Sequence, residues 1–136
     1  MATRTEQGDL LSLVHSSHGE FPRAVISPAT HEDSFYLAAE AFNIADAWQV
    51  PVFFTNDLGQ AGAECTLEEF DVSRVRIDRG LFAPEPPEPA MLARYAVTDS
   101  GVSPRAVPGL SKWVVSCDSH EHDEYGHLTD DAANRV

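Results

Sequence analysis

The feature that most constrains the fold is a strand, a long helix and a second strand in direct succession. Residues 23–27 form a short β-prone run, and Thr30 with Asp33 then supplies the start signal of a helix. Pro51 ends the helical pattern, and the apolar run that begins at Val52 has the length of a strand. Such a unit joins two parallel strands by a right-handed helical crossover, so the pattern predicts the α/β class.

The predicted helix carries its apolar side chains at steps of three or four residues, which is the spacing of one helix face. These side chains are Phe35, Ala38, Ala39, Phe42, Ala45 and Trp48. A third apolar run covers 113–117. Three strands are fewer than the five or six of a common doubly wound sheet, so the sequence predicts a partial parallel sheet and a chain that is a fragment.

Charge and cysteine content exclude several functions. The chain has 22 acidic against 9 basic side chains, a net charge of −13, which would repel a phosphate backbone. We therefore expect no nucleic acid partner. No apolar run approaches the roughly 20 residues of a membrane span, so no membrane partner is predicted either. Two isolated cysteines and a polar N-terminus predict a reducing, cytoplasmic location.

Common catalytic and nucleotide motifs are missing from the sequence. It contains neither G-x-G-x-x-G nor the P-loop pattern, and it has no G-x-S-x-G nucleophile elbow. The motifs therefore identify no catalytic residue.

The N-terminal segment leaves two interpretations open. Thr3 and Glu6 have the spacing of a capping box, and the apolar positions between Leu10 and Val14 follow them. Most such boxes only start a helix. A polar loop at a helix N-terminus is also a ready anion site, so the segment is a candidate for the vicinity of a substrate or cofactor. The candidate residues are Thr3, Arg4, Thr5, Glu6 and Gln7.

Residues 118–127 hold the densest group of titratable side chains. A divalent metal could use histidines and carboxylates at this spacing, but H-x-H is not a structural zinc pattern and no cysteine pair supports it. We predict no metal site. The alternatives are an acidic loop that caps a helix beginning near Thr129, or one that pairs with arginines of another domain. The predicted interdomain residues are His120, Glu121, His122, Asp123 and His127.

Eight short blocks occur in one fixed order and cover nearly the whole chain: 3–11, 18–23, 39–46, 49–52, 70–71, 77–80, 101–109 and 121–127. Their sequences and order resemble those of the alpha subunit of 2-oxoacid:ferredoxin oxidoreductases, in the pyruvate ferredoxin/flavodoxin oxidoreductase family. Within the family, T-E-Q-G-D-L and E-H-D-E-x-G-H are most similar to the 2-oxoglutarate-type enzymes.

The resemblance implies a place in a known domain. Residues 1–136 would be the C-terminal part of a thiamine diphosphate pyrimidine-binding domain. Within it, 83–90 would be a proline-rich surface spacer and 118–136 the junction to a missing next domain. Gly59 and Gln60 depart from the family, which usually has an aromatic residue and a leucine there; we expect weaker local packing.

The resemblance also implies an activity and its partners. The family oxidatively decarboxylates a 2-oxoacid, with coenzyme A and ferredoxin, using thiamine diphosphate and magnesium. The acid that activates the cofactor and the substrate-binding arginine lie upstream of the T-x-T-E-Q block in the family. We therefore expect this chain to have no catalytic residue, to bind no cofactor alone and to be inactive alone. Its partners would be the missing N-terminal half and a beta subunit. The alternative is a non-catalytic remnant or subunit-interaction module of the same fold.

Overall fold

Residues 8–134 are described in the structure, which is a computed structural model. The chain divides into two units, Met1–Gly80 and Leu81–Val136. The first unit contains α1 (Asp9–Val14), β1 (Ala24–Ile26), α2 (His31–Trp48), β2 (Val52–Phe54), α3 (Leu58–Gly62) and a 3₁₀ helix (Val72–Arg74). The second unit contains β3 (Ala90–Met91), β4 (Trp113–Val114) and a 3₁₀ helix (Ala132–Asn134).

The predicted strand, helix and strand unit is confirmed. β1 and β2 pair in parallel, with Val25 opposite Phe53. The Asp33 N–H donates to Thr30 Oγ1 at 3.0 Å, which satisfies one of the free amides at the start of α2. Gln49 ends the helix in the left-handed conformation, with φ of 57°. The chain is thus an α/β protein with partial parallel sheets.

The first and last helices differ from their predictions. α1 begins at Asp9 and its N-cap is Gly8, which makes no side-chain cap. Thr3 and Glu6 lie outside the described residues, so the predicted capping box stays a prediction. No α-helix begins near Thr129 within the described chain; a 3₁₀ turn at Ala132–Asn134 takes its place.

The third predicted strand is present but short. β4 covers two residues, and its parallel partner β3 had no strand signal in the sequence. The proline-rich segment before β3 is held by hydrogen bonds: the Glu85 carboxylate accepts from the Ser111 hydroxyl and the Lys112 N–H, both at 2.7 Å. These two donors lower the pKa of Glu85, with the Lys112 amide as the larger cause.

A buried asparagine holds the irregular end of the first unit on α2. Asn43 Nδ2 donates to the Arg76 carbonyl at 2.9 Å, and Asn43 Oδ1 accepts from the Asp78 N–H at 2.8 Å. Gly80, with φ of +69°, packs against the backbone at Asp46, where a Cβ atom would clash. The segment 76–80 is therefore attached to the helix by polar groups and close backbone approach.

Apolar burial is slight among the described residues. Leu92, 5% exposed, is their only buried large apolar side chain. The apolar face of α2 is only partly covered, since Phe42 is 69% and Trp48 63% exposed. Within 8–134, no helix has the length and apolar character that crossing a bilayer requires.

Candidate functional site

An open cleft of about 280 Å³ lies beyond the carboxyl ends of β1 and β2. Its lining residues are Asp9, Leu10, Leu13, Val25, Ser27, Thr55, Asn56 and Asp57. In parallel α/β sheets, ligands bind at this end of the strands. The cleft is therefore the first candidate site of the chain.

Local hydrogen bonds position the residues that leave β2. The Thr55 N–H donates to the Ile26 carbonyl at 2.9 Å and the Thr55 hydroxyl donates to the same oxygen at 3.2 Å. Asp57 caps α3, because its Oδ1 accepts from the amides of Gly59 and Gln60. The Asp57 carboxylate is thus engaged by the helix that it starts.

The departure at Gly59 and Gln60 has a local consequence. Gln60 Nε2 donates to the Ser34 hydroxyl at 3.1 Å, which ties α3 to α2 by a polar contact. Gly59 follows the capping aspartate closely, and a Cβ there would lie 2.8 Å from Asp57 Oδ1. The expected loss of apolar packing is therefore accompanied by a hydrogen bond.

The predicted N-terminal site lies outside the described residues. Thr3, Arg4, Thr5, Glu6 and Gln7 all precede Gly8, and their role stays a prediction. The structure does place Asp9 and Leu10, at the start of α1, in the lining of the strand-end cleft. Asp9 follows the predicted segment by two positions in the sequence.

The second candidate site is a hairpin within 118–128. The Asp118 N–H donates to the Gly126 carbonyl at 2.8 Å, and the Asp123 N–H donates to the His127 carbonyl at 2.9 Å. Gly126 is buried and has a φ of +86°. A Cβ atom at this position would clash with the Ser116 carbonyl, so only glycine fits. These contacts hold the loop in one defined shape.

Asp123 organises the tip of this hairpin. Its Oδ1 accepts from the backbone amides of Tyr125 and His127, each at 2.9 Å. The His127 amide, followed by that of Tyr125, lowers the pKa of Asp123 because both stabilise the charged form. The carboxylate therefore supports the backbone of the loop.

Tyr95 packs on the same hairpin. Its ring centroid lies 3.9 Å from that of His122, and its N–H donates to the Glu124 carbonyl at 2.9 Å. The Tyr95 hydroxyl donates to Cys117 Sγ at 2.9 Å, and this contact, with partial burial, raises the pKa of Tyr95. Nothing in the sequence around Tyr95 identified it, because the contact depends on tertiary structure.

Three of the five predicted interdomain residues line one cleft, and the other two lie outside it. An open cleft of about 590 Å³ is lined by Glu121, His122 and Asp123, together with Tyr95 and Tyr125. His120 and His127 lie outside it: His120 Nδ1 is 2.9 Å from the Ser119 hydroxyl, and His127 Nδ1 is 3.9 Å from an oxygen of Asp118. Across 8–134, no three acidic, histidine or cysteine side chains converge as metal ligands. The interdomain role stays a prediction.

A family comparison defines the class of protein. The family model described as pyruvate flavodoxin/ferredoxin oxidoreductase, thiamine diphosphate-binding, matches residues 1–136. The chain belongs to this family.

Particular relatives narrow the class. The alpha subunit of 2-oxoacid:ferredoxin oxidoreductase 2 from Aeropyrum pernix is 41% identical over an aligned length of 137, and the alignment covers 99% of this chain and 21% of the relative. The 2-oxoglutarate synthase subunit KorA of Archaeoglobus fulgidus is 40% identical over 55 residues, 40% of this chain and 16% of the relative. The chain thus spans about a fifth of the length of its relatives.

A solved structure confirms the fold. The 2-oxoglutarate:ferredoxin oxidoreductase from Magnetococcus marinus, with 2-oxoglutarate, coenzyme A and succinyl-CoA bound, matches with a TM-score of 0.79 and 26% identity. The match covers 96% of this chain and 22% of that one. The predicted partial α/β fold of the thiamine diphosphate-binding type is therefore confirmed.

The described strand-end cleft does not fit the diphosphate of thiamine diphosphate. Asp9 and Asp57 place carboxylates in it, and its described lining includes no lysine or arginine. Two helices begin at this cleft: α1 begins with Asp9 itself, and the N-terminus of α3 already holds the Asp57 carboxylate. A diphosphate would meet like charge here, so we derive no reaction step through the cofactor.

Proposed function

We propose that this chain is part of the alpha subunit of a 2-oxoacid:ferredoxin oxidoreductase whose substrate is 2-oxoglutarate. The complete enzyme would convert a 2-oxoacid and coenzyme A into an acyl-CoA and carbon dioxide, and the two electrons released would reduce ferredoxin. One observation carries the proposal: 96% of the chain superimposes on an enzyme named for 2-oxoglutarate. The relatives from Aeropyrum pernix and Archaeoglobus fulgidus support the same class.

The role that we assign to the chain is structural. It would form the C-terminal part of the pyrimidine-binding domain, with 83–90 as a surface spacer and 118–136 as the junction to the next domain. The partners would be the N-terminal half of the alpha subunit and a beta subunit, in the cytoplasm. The misfit between the cleft and a diphosphate supports the proposal that other parts of the complex bind thiamine diphosphate and magnesium.

The two candidate sites would serve this role differently. Thr3–Gln7 would form one wall near the substrate, since the chain reaches the strand-end cleft at Asp9. Glu121, His122 and Asp123 would contact a neighbouring domain through the cleft that they line, where the carboxylates of Glu121 and Asp123 suit arginine side chains. His120 and His127 would contribute at the edges of that contact.

The activity test uses a chimera. This chain replaces the matched fifth of the Aeropyrum pernix alpha subunit, which is then combined with its beta subunit. We expect reduction of a viologen dye that depends on 2-oxoglutarate, coenzyme A, thiamine diphosphate and magnesium, and no turnover by the isolated chain above a heat-inactivated control. The unaltered relative serves as the matched control.

Three results would contradict the proposal. Turnover by the isolated chain would show that it carries its own catalytic groups. An assembled chimera that prefers pyruvate to 2-oxoglutarate where the unaltered relative does not would refute the substrate assignment, and one with no turnover at all would favour the non-catalytic interaction module.

A further inference from the structure

The carboxyl end of α1 is held by an arginine that directly precedes β1. Arg23 Nη1 donates to the Leu13 carbonyl at 3.0 Å and to the Ser16 carbonyl at 2.6 Å. It also donates to the Ser16 hydroxyl at 3.2 Å, and that hydroxyl donates to the Leu13 carbonyl at 3.1 Å. The last carbonyls of a helix have no partner within the helix, and an arginine side chain can supply one. Arg23 therefore caps α1 from outside the helix.

Apolar burial does little to hold α1 in place. None of its six residues is buried, and Leu10 and Leu11 are 62% and 68% exposed. A helix of this length is too short to be stable through its own hydrogen bonds. Contacts from outside the helix must therefore set its position, and those of Arg23 reach its carboxyl end.

The Arg23 side chain is itself held in one orientation. Its guanidinium carbon lies 3.9 Å from the centre of the Phe21 ring, and a planar guanidinium stacked on an aromatic ring has few orientations open to it. The next residue, Ala24, begins β1, and its N–H donates to the Pro51 carbonyl at 3.0 Å. Arg23 thus connects α1 to the edge of the parallel sheet.

This connection joins two walls of the strand-end cleft. Leu13, whose carbonyl accepts from Arg23, lines the cleft together with Asp9 and Leu10 of the same helix. Val25 lines it from β1, two positions after Arg23. The described lining does not include Arg23, so this arginine acts on a ligand in the cleft through the residues that it holds.

We propose that Arg23 is a positioning residue for the strand-end cleft: it fixes α1 against β1 and so preserves the shape in which the complete enzyme takes up its 2-oxoacid. This inference rests on the proposed function and adds a residue on which substrate affinity depends. The proposed function assigns the cofactor and the catalytic groups to other parts of the complex. A displaced cleft wall should therefore weaken substrate binding and leave the chemical step unchanged.

The kinetic test introduces variants into the chimera with the Aeropyrum pernix alpha subunit. Arg23→Met removes the donors and keeps most of the side-chain length; it should raise KM for 2-oxoglutarate by about fivefold or more and change kcat by less than about twofold. Arg23→Lys restores a donor and should return KM to within about twofold of the wild-type value. Ser16→Ala removes an acceptor without changing charge and should also raise KM, and the double variant should be no worse than Arg23→Met alone.

Arg74→Met is the matched control. Arg74 lies in the same unit, its guanidinium carbon is 4.2 Å from the centre of the Tyr36 ring, and it does not line the cleft. The substitution removes the same chemical group from a similar aromatic contact. It should leave KM and kcat at the wild-type values.

Amide hydrogen exchange in this chain, followed by NMR, gives a readout that does not depend on activity. The N–H groups of Ser12 and His15 donate to the Gly8 and Leu11 carbonyls. Arg23→Met should speed the exchange of both amides by about threefold or more, because α1 then opens more often, while the amides of α2 exchange at the wild-type rate. Circular dichroism establishes that the variant keeps its helix content, and Ser16→Ala replaces it in both tests if it does not.

The outcomes separate this inference from the proposed function. Unchanged exchange in α1 would overturn the positioning role. An active chimera whose KM is insensitive to Arg23→Met would overturn it too and leave the proposed function standing. A KM raised by Arg23→Met but not by Ser16→Ala would assign Arg23 a direct effect of its charge instead. A wild-type chimera without turnover would contradict the proposed function, and faster exchange in α1 would then still support Arg23 as the residue that fixes the cleft.

Discussion

The two units of the chain are stabilised by different kinds of structure. In the first, an 18-residue helix joins a pair of parallel strands, and its apolar side chains follow the helical period. In the second, the strands are two residues long, and most of the chain is held by turns and side-chain caps such as those of Glu85 and Asp123. The stability of the first unit therefore rests on regular helix and strand contacts, whereas that of the second unit depends on individual turn and cap residues.

The largest effect should follow from a change to one such backbone position. Gly126→Ala should destabilise the second unit by about 3 kcal/mol, because the glycine has a positive φ and its Cβ would strike the Ser116 carbonyl. Urea unfolding in a Trp48→Phe background, with Trp113 as the remaining fluorescent reporter, measures the free energy.

Gly101→Ala is the matched control for this prediction. Gly101 also has a positive φ, of +73°, but open space surrounds its missing side chain. Its cost should be about 1 kcal/mol from backbone strain alone. An equal loss of unfolding free energy at the two glycines would show that close packing at Gly126 contributes nothing. The contrast between the units would then weaken.

A smaller effect tests whether the first unit also depends on a single polar residue. Asn43→Ala should lower stability by about 2 kcal/mol, because it removes the partners of the Arg76 carbonyl and the Asp78 amide. Thermal unfolding followed at 222 nm reports chiefly on α2. Glu40→Ala removes only an exposed partner of Asn43 and should cost less than about 0.5 kcal/mol. A cost for Asn43→Ala as small as this control would mean that helix and strand contacts alone hold the segment.

The smallest effect concerns the pH dependence of the hairpin. The pKa of Asp123 is lowered in the folded chain, so its contribution to stability is present above the ordinary aspartate pKa of about 3.9 and is lost as pH falls through the lower folded value. The melting temperature of wild type should exceed that of Asp123→Asn at neutral pH, and the difference should close below about pH 4. Glu124→Gln controls for net charge. A difference independent of pH would show that the amides of Tyr125 and His127 do not favour the charged form.

Periodicity in the sequence predicted the strand, helix and strand of the first unit. Thr30, the helix and the parallel strands follow from local capping and apolar spacing, which act over a few residues. The exposure of Phe42 was not predictable, because a helical period shows which side chains share a face but not whether that face is covered. β3 was missed because Ala90 and Met91 have no alternation and gain their strand geometry from pairing with β4.

The candidate sites were predictable only in part. The density of acids and histidines indicated 118–127, and three of the five predicted residues line one cleft there. Tyr95 was missed, since its contacts with His122 and Cys117 join positions more than twenty residues apart. The strand-end cleft follows from the parallel sheet, but its lining from α1 depends on tertiary packing.

The parallel register of β1 and β2 has a consequence for the order of folding. Ala24 pairs with Val52, so the pairing must close a long stretch of chain before it gains any hydrogen bond. A helix of 18 residues forms in about a microsecond and is roughly 27 Å long, which shortens the chain between the two strands. We therefore expect α2 to be formed in the folding transition state, so that weakening its Thr30 cap slows folding more than it speeds unfolding.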